Sequence, residues 1–172
     1  MTRRTLAVWL QPERQAATEL DAVIARLAAA HGTAAFPAHV TLLGPLEQEV
    51  GAAVNGLGRV ADTLPALGVE FDEVRCEPAW HRSLYLAAVA TAALRQAAQA
   101  AARALRLPGQ SDHMPHLSLQ YSQLPLADKR RLVPSVALEL PLSVRFDRLS
   151  LWHIDGSDAR RWRLLATRSL GG

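Results

Sequence analysis

Two short motifs of the same type carry the residues best suited to chemistry. The first contains His39 and Thr41, the second contains His116 and Ser118, and one apolar residue separates the members of each pair. Because side chains alternate across a strand, each imidazole shares a face with its hydroxyl. If the two strands oppose each other, the motifs bring two imidazoles and two hydroxyls to one cleft.

Two opposed imidazoles favour displacement at phosphorus. One imidazole takes a proton from an attacking water, while the other gives a proton to the leaving oxygen near neutral pH. The hydroxyls are expected to donate hydrogen bonds to the phosphoryl oxygens, where negative charge accumulates. Neither motif contains a carboxylate or a thiol, so we expect no metal site and no cofactor.

The motifs occupy matching places in an internal repeat. A strand–helix–strand–helix order at about residues 5–76 returns at about residues 83–168, and His39 and His116 lie 77 residues apart. We therefore predict one domain over residues 1–172, with an α+β fold. Its two similar lobes are expected to lie around a pseudo-twofold axis, with antiparallel sheets lining a central cleft.

Local patterns predict the elements that position the motifs. Helical periodicity, with its start and stop signals, indicates helices between Pro12 and Gly32 and over residues 50–64, 91–107 and 126–133. Alternating or apolar runs indicate strands over residues 5–10, 39–43, 69–71, 84–89, 116–121, 138–140, 142–152 and 161–167. The pair Gly44 and Pro45 is expected to end the first histidine-bearing strand.

Composition restricts the class of protein. A chain of 172 residues that is 49% hydrophobic is long enough to bury a core of its own. Charged residues interrupt every apolar run before it reaches the length of a membrane span, and Gln11 and Pro12 close the first run too early for an export signal. With Cys76 as the one cysteine, we expect a cytoplasmic protein without internal disulfides, membrane contact or an obligate protein partner. The net charge of +3 permits an anionic ligand without requiring one.

The chain resembles the 2H phosphoesterases, which are named for two H-x-[ST]-hydrophobic tetrapeptides, and it looks most like their cyclic phosphodiesterase branch. The tetrapeptides match at residues 39–42 and 116–119. The opening strand around Trp9, the position of Tyr121 and a late strand ending near Trp152 are also similar. The resemblance implies a metal-independent phosphate site that is lined by the motif side chains, with these three aromatic residues binding substrate.

The resemblance also implies a reaction. We expect hydrolysis of a nucleoside 2′,3′-cyclic phosphate or an ADP-ribose 1″,2″-cyclic phosphate to a phosphomonoester. One alternative is an RNA 2′-5′ ligase or RNA phosphodiesterase that acts on RNA ends, although the scattered arginines do not form the basic track that a polynucleotide favours. A non-catalytic nucleotide-binding module is the other alternative, and the complete motifs argue against it.

Several further residues carry suitable chemistry without a distinguishing context. His81 and His113 lie in predicted loops and are expected to be solvated, although His113 is near enough to His116 in sequence to border the cleft. Trp80, like Trp9 and Trp152, has a ring that suits either base stacking or the core. The basic run at residues 160–163 is expected to form a solvent-facing strand.

Overall fold

The fold combines antiparallel strands with helices. The computed structural model describes residues 3–107 and 114–171. Its strands are β1 (Arg3–Pro12), β2 (Val40–Glu49), β3 (Leu67–Arg75), β4 (Leu84–Ala88), β5 (His116–Gln120), β6 (Leu142–His153) and β7 (Arg163–Ser169). Its helices are α1 (Arg14–His31), α2 (Val50–Ala61), α3 (Ala92–Ala104) and α4 (Leu126–Leu132). The predicted α+β class is confirmed.

The strands form one sheet whose pairings close on themselves. The order is β1, β2, β5, β4, β3, β6 and β7, all neighbours are antiparallel, and β6 also pairs with β1. The long β6 makes this possible, since its first residues pair with β3 and its later residues with β1. β3 belongs to the first predicted repeat but pairs with β4 of the second, so strands from both repeats build that half of the sheet.

The two motifs meet where β2 pairs with β5. The pairing of these strands registers Val40 opposite Leu117, and each of these residues directly follows its motif histidine. An antiparallel pairing of equivalent residues is the arrangement that a local twofold axis between them produces. The register therefore brings the two histidine-bearing strand ends together at the centre of the sheet.

The core lies on the opposite face of these strands from the motif side chains. Val40 and Leu42 are fully buried, and α1 contacts β1 and β5 while α3 contacts β2 and β3. Helix α2 packs closely on the end of α3, where a Cβ added at Gly56 would come within 2.6 Å of a Leu105 methyl group. Burial on this face leaves His39 and Thr41 to face the other way.

Local signals explain two of the helix ends. Helix α1 is followed by Gly32, which adopts the left-handed conformation with φ 64°, where a residue without Cβ has no steric penalty. Helix α3 begins after Thr91, whose hydroxyl accepts a hydrogen bond from the Leu94 amide. These ends lie within a few residues of the predicted ones.

One predicted strand is absent, and two others have different ends. β2 does not end at Gly44 and Pro45 but continues to Glu49, because a shift in its register with β1 accommodates them. Gly44 has φ 144°, and a Cβ there would lie 2.9 Å from that of Ala7. Residues 138–140 are not a strand. Residues 159–161 form a 3-10 turn capped by Asp158, so β7 begins two residues later than predicted.

Within residues 3–107 and 114–171, none of the helices combines the length and apolar character that crossing a bilayer would need.

Candidate active site

Both motif histidines line one cavity of about 570 Å³. Its volume lies within the range of roughly 300–1,000 Å³ that is usual for small-molecule sites. The described residues that line it come from strand ends and the loops between them: Thr5, Ala7, Trp9, His39, Thr41, Gly44, Pro45, Trp80, His81, Arg82, Met114, His116, Tyr121, Ile154, Gly156 and Trp162. His113 lies outside the described residues, so its predicted place at the border stays a prediction.

The same backbone contact orients the two imidazoles. Nδ1 of His39 lies 2.6 Å from the carbonyl oxygen of Pro37, and Nδ1 of His116 lies 3.0 Å from that of Met114. Because a carbonyl only accepts, Nδ1 carries the proton in each ring and Nε2 keeps its lone pair. Each histidine is therefore held as the tautomer that can receive a proton at Nε2.

His39 is enclosed by aromatic rings. It is 3% exposed, and its ring stacks on Trp9 with centroids 3.6 Å apart and an interplanar angle of 11°, while Phe36 meets its edge. Desolvation by this burial lowers the pKa of His39 from 6.5 to about 3, and the charge of His116 acts in the same direction. The carbonyl of Pro37 opposes the shift without cancelling it. His39 is thus held neutral over the usual pH range.

His116 has a more open and more charged environment. It is partly exposed, and its ring meets the edge of Tyr85 at a centroid distance of 5.2 Å. Burial lowers the pKa of His116, and the nearby charges of Arg82 and His81 lower it further. The Met114 carbonyl and the Glu77 carboxylate have the opposite effect.

The two motif hydroxyls have different surroundings. Thr41 lines the cavity. Ser118 is buried, donates a hydrogen bond of 3.2 Å to the carbonyl oxygen of His81, and is not among the described residues that line the cavity. The predicted donation from Ser118 to a phosphoryl group stays a prediction.

The aromatic residues named from the sequence divide in the same way. Trp9 and Tyr121 line the cavity, and Tyr121 lies one residue beyond the end of β5, where strand alternation no longer applies. Burial raises the pKa of Tyr121 to about 12, although a hydrogen bond with Ser118 acts against this. Trp152 packs on Trp9 with centroids 4.6 Å apart, donates from Nε1 to the Ser150 hydroxyl, and is not among the described lining residues.

A short 3-10 turn, Trp80–Arg82, contributes three lining residues that the sequence patterns did not single out as a site. His81 is exposed, as predicted, yet it borders the cavity. Arg82 is the one lysine or arginine among the described residues that line the cavity. Its Nε lies 2.8 Å from the Glu77 carboxylate. The available signal was a tryptophan, a histidine and an arginine directly before the first strand of the second repeat.

Trp162 also lines the cavity, whereas the sequence places it in a regular strand. It is buried, precedes β7, and donates from Nε1 to the carbonyl oxygen of Gly156 at 3.2 Å. Its edge meets the ring of Tyr121 at a centroid distance of 5.5 Å. The turn at residues 159–161 directs this side chain inward, which simple alternation along the chain does not anticipate.

Metal ligands do not cluster in the part of the chain that the structure describes. Among those residues, no group of three or more His, Cys, Asp and Glu side chains is placed to share a metal ion.

Solved structures share this fold over the whole chain. Escherichia coli LigT complexed with ATP superposes with a TM-score of 0.66 at 17% identity, covering 100% of both chains. LigT complexed with 3′-AMP gives 0.64 at 19% identity over 98% of each chain. The protein TT0787 of Thermus thermophilus gives 0.63 at 18% identity, also over 98% of each. At these identities the similarity concerns the fold.

The sequence comparisons differ in their reach. A search of curated proteins finds no significant match. The profile of the family described as the 2′-5′ RNA ligase superfamily matches residues 12–158, which include both histidine motifs. Because that match spans most of the chain and the fold agrees with LigT, the chain belongs to the 2′-5′ RNA ligase superfamily of 2H phosphoesterases.

Proposed function

We propose that this protein hydrolyses a small cyclic phosphodiester, a nucleoside 2′,3′-cyclic phosphate or an ADP-ribose 1″,2″-cyclic phosphate, without a metal ion. The observation that carries the proposal is the pair of histidines on one cavity, each held with Nδ1 on a backbone carbonyl. A general base and a general acid on opposite sides of phosphorus need such a pair.

The cavity suits a nucleotide in size and lining. Its volume of about 570 Å³ suits a ligand of mononucleotide size. Arg82 supplies a positive charge for a phosphate, and Trp80, Tyr121 and Trp162 supply aromatic surface for a base. The structures of LigT with ATP and with 3′-AMP support a nucleotide ligand for this fold.

The different burial of the histidines suggests their roles. His39 is held neutral, which is the state that a base requires, so we assign it the proton of the attacking water. His116 is more exposed and is assigned as the acid. In its protonated form His116 carries a second proton on Nε2. As the water oxygen bonds to phosphorus, the proton of the water passes to Nε2 of His39, the bond to one ring oxygen breaks, and the Nε2 proton of His116 goes to that departing oxygen.

Thr41 completes the proposed chemistry from the same side of the sheet as His39. Its hydroxyl is expected to donate to a phosphoryl oxygen as negative charge develops there. Because an in-line displacement fixes which ring oxygen faces His116, one product isomer should predominate. From the family resemblance we expect a nucleoside 2′-phosphate from a 2′,3′-cyclic substrate.

A second candidate function is the processing of RNA ends, and one observation favours it. A smaller cavity of about 280 Å³ shares Trp80 and Tyr121 with the histidine cavity and has Arg160 in its lining. A neighbouring cavity with an arginine offers room for a second nucleotide. The family description, 2′-5′ RNA ligase superfamily, supports the same alternative.

A substrate panel distinguishes the proposals. Purified protein is incubated with 2′,3′-cyclic nucleotides, ADP-ribose cyclic phosphate and 2′-5′-linked dinucleotides, and the products are identified. We expect turnover of a cyclic phosphate by the natural sequence and by His31→Ala, since His31 is exposed at the end of α1. His116→Ala should lower it by about 10²- to 10⁴-fold.

Two other results would redirect the assignment. A marked preference for 2′-5′-linked dinucleotides would favour the second candidate. Nucleotide binding with no turnover of any substrate in the panel would contradict both and favour a binding module.

A further inference from the structure

Lys129 is a buried cation outside the cavity lining. It is the only lysine among the 19 basic residues of the chain, and it lies on α4 with 0% of its surface exposed. Its Nζ donates to three consecutive backbone carbonyls, those of Glu77 at 3.0 Å, Pro78 at 3.0 Å and Ala79 at 3.4 Å. A buried charge is costly unless it is hydrogen-bonded, and here each of the three ammonium protons has an acceptor.

These carbonyls directly precede the Trp80–Arg82 turn. The Glu77 amide donates to the Arg82 carbonyl at 2.9 Å, and the Arg82 amide donates to the Ala79 carbonyl at 3.3 Å, so the segment closes on itself. The carbonyls that accept hydrogen bonds from the Lys129 ammonium therefore belong to the same closed loop that carries Trp80, His81 and Arg82 at the cavity.

The same loop reaches the His116 half of the site. The carboxylate of Glu77 lies 2.8 Å from Nε of Arg82 and accepts a hydrogen bond of 2.7 Å from the Tyr85 hydroxyl. Tyr85 in turn contacts the His116 ring with its edge. A displacement of the loop would change both the charges and the packing around His116.

We propose that Lys129 is a positioning residue for the His116 half of the active site. Its ammonium donates hydrogen bonds to three carbonyls from one nitrogen and thereby fixes the loop that carries Trp80, His81 and Arg82. An arginine would spread its donors over a planar fork and could not converge on the three carbonyls in the same way. The kinetic consequence rests on the proposed phosphodiesterase function, whereas the effect on His116 does not.

The test compares Lys129→Met with a matched control on the same helix. Lys129→Met removes the ammonium and keeps an unbranched chain, while Arg131→Met removes an exposed cation that forms an ion pair with Asp128 on the same helix. For each variant, kcat and KM are measured on the best substrate. The pKa of His116 is measured by NMR titration of the intact protein.

We expect Lys129→Met to lower kcat/KM by about 10- to 100-fold, as misplacement of binding groups commonly does. We also expect the pKa of His116 to rise, because Arg82 and His81, which lower it, would move away. The opposing effect of Glu77 is the smallest of the three. Arg131→Met should change neither quantity.

Lys129→Arg serves as a second variant if Lys129→Met does not fold, and we expect the same changes at smaller size. Natural kcat/KM and a natural His116 titration in a folded Lys129 variant would overturn the proposal. Failure of both variants to fold would also overturn it, since Lys129 would then serve the fold and not the site. An inactive natural protein would count against the phosphodiesterase function alone, because the titration still decides the positioning role.

Discussion

The two halves of the active site share a backbone arrangement but differ in side-chain surroundings. Trp9 lies opposite Thr41 in the β1–β2 pairing, and Tyr85 lies opposite Ser118 in the β4–β5 pairing. The tryptophan stacks on the face of its histidine, whereas the tyrosine offers its edge and bonds Glu77 through its hydroxyl. A repeated motif thus acquires two environments from the residue on the neighbouring strand.

Nearby charged side chains increase the difference between the environments of the two histidines. His39 lies among aromatic rings, and His116 lies near Arg82, His81 and Glu77. When similar titratable groups have environments that separate their protonation behaviour, they suit opposite roles in acid–base catalysis. The asymmetry therefore supports the proposed division into base and acid better than the symmetric sequence motifs do.

Removal of either histidine should have the largest effect. His39→Ala and His116→Ala should each lower kcat by about 10²- to 10⁴-fold, the usual contribution of general acid–base catalysis. The double variant should be much less than multiplicatively worse, because both groups act in one displacement. A substrate with an activated leaving group should rescue His116→Ala alone, and rescue of His39→Ala instead would reverse the roles.

Loss of a motif hydroxyl should have the next largest effect on kcat, and the two hydroxyls should differ in the size of that effect. Thr41→Val keeps the side-chain shape but removes a donor at the cavity, so kcat should fall by about 100-fold, as for loss of one oxyanion donor. Ser118→Ala removes the hydrogen bond to the His81 carbonyl, and its effect should be several-fold smaller. Steady-state kinetics of the two variants make the comparison, and equal losses would indicate that both hydroxyls contact substrate.

The pH optimum of kcat/KM should lie at a lower pH than two unperturbed histidines would give. The base requires a pH above the pKa of His39, which is about 3, and the acid requires a pH below that of His116, which is lowered from 6.5. The optimum should therefore lie below 6.5, and not near neutrality as the unperturbed residues suggest. A limb of the free-enzyme profile well above 6.5 would contradict this account of burial.

Lowering the pH should also destabilise the folded protein, because His39 is buried in its neutral form. Its pKa is lower in the folded protein, so the unfolded chain binds the proton first, and stability is lost as the pH falls from 6.5 toward about 3. Each pH unit in that range costs about 1.4 kcal/mol per proton. Urea unfolding at pH 6.5 and 5 should show this slope, and His39→Gln should reduce it.

Chelation should have the smallest effect. The proposed mechanism takes its proton transfers from imidazoles and its charge stabilisation from Thr41 and Arg82, so EDTA should leave turnover unchanged. Loss of turnover with EDTA, restored by one divalent ion, would contradict the two-histidine mechanism.

Strand alternation and local end signals made much of the molecule predictable. The H-x-[ST] spacing places His39 and Thr41 together because it follows the period of a strand, and Val40 and Leu42 are buried on the other face. Gly32 marks the end of α1 by local stereochemistry. The predicted strand end at Gly44 is wrong, because the close approach of Gly44 to Ala7 depends on a strand that is distant in sequence.

The sequence by itself determined most of the strand and helix order, the two histidine motifs and the shared face of each histidine–hydroxyl pair, since these depend on neighbours a few residues apart. Only the tertiary structure decided that Trp9 encloses His39, that Ser118 bonds the His81 carbonyl, and that Lys129 holds the loop before Trp80. These contacts join residues that are 30 to 52 positions apart along the chain. Burial, and the hydrogen bonds between buried residues, arise when distant parts of the chain pack together, so no local sequence pattern predicts them.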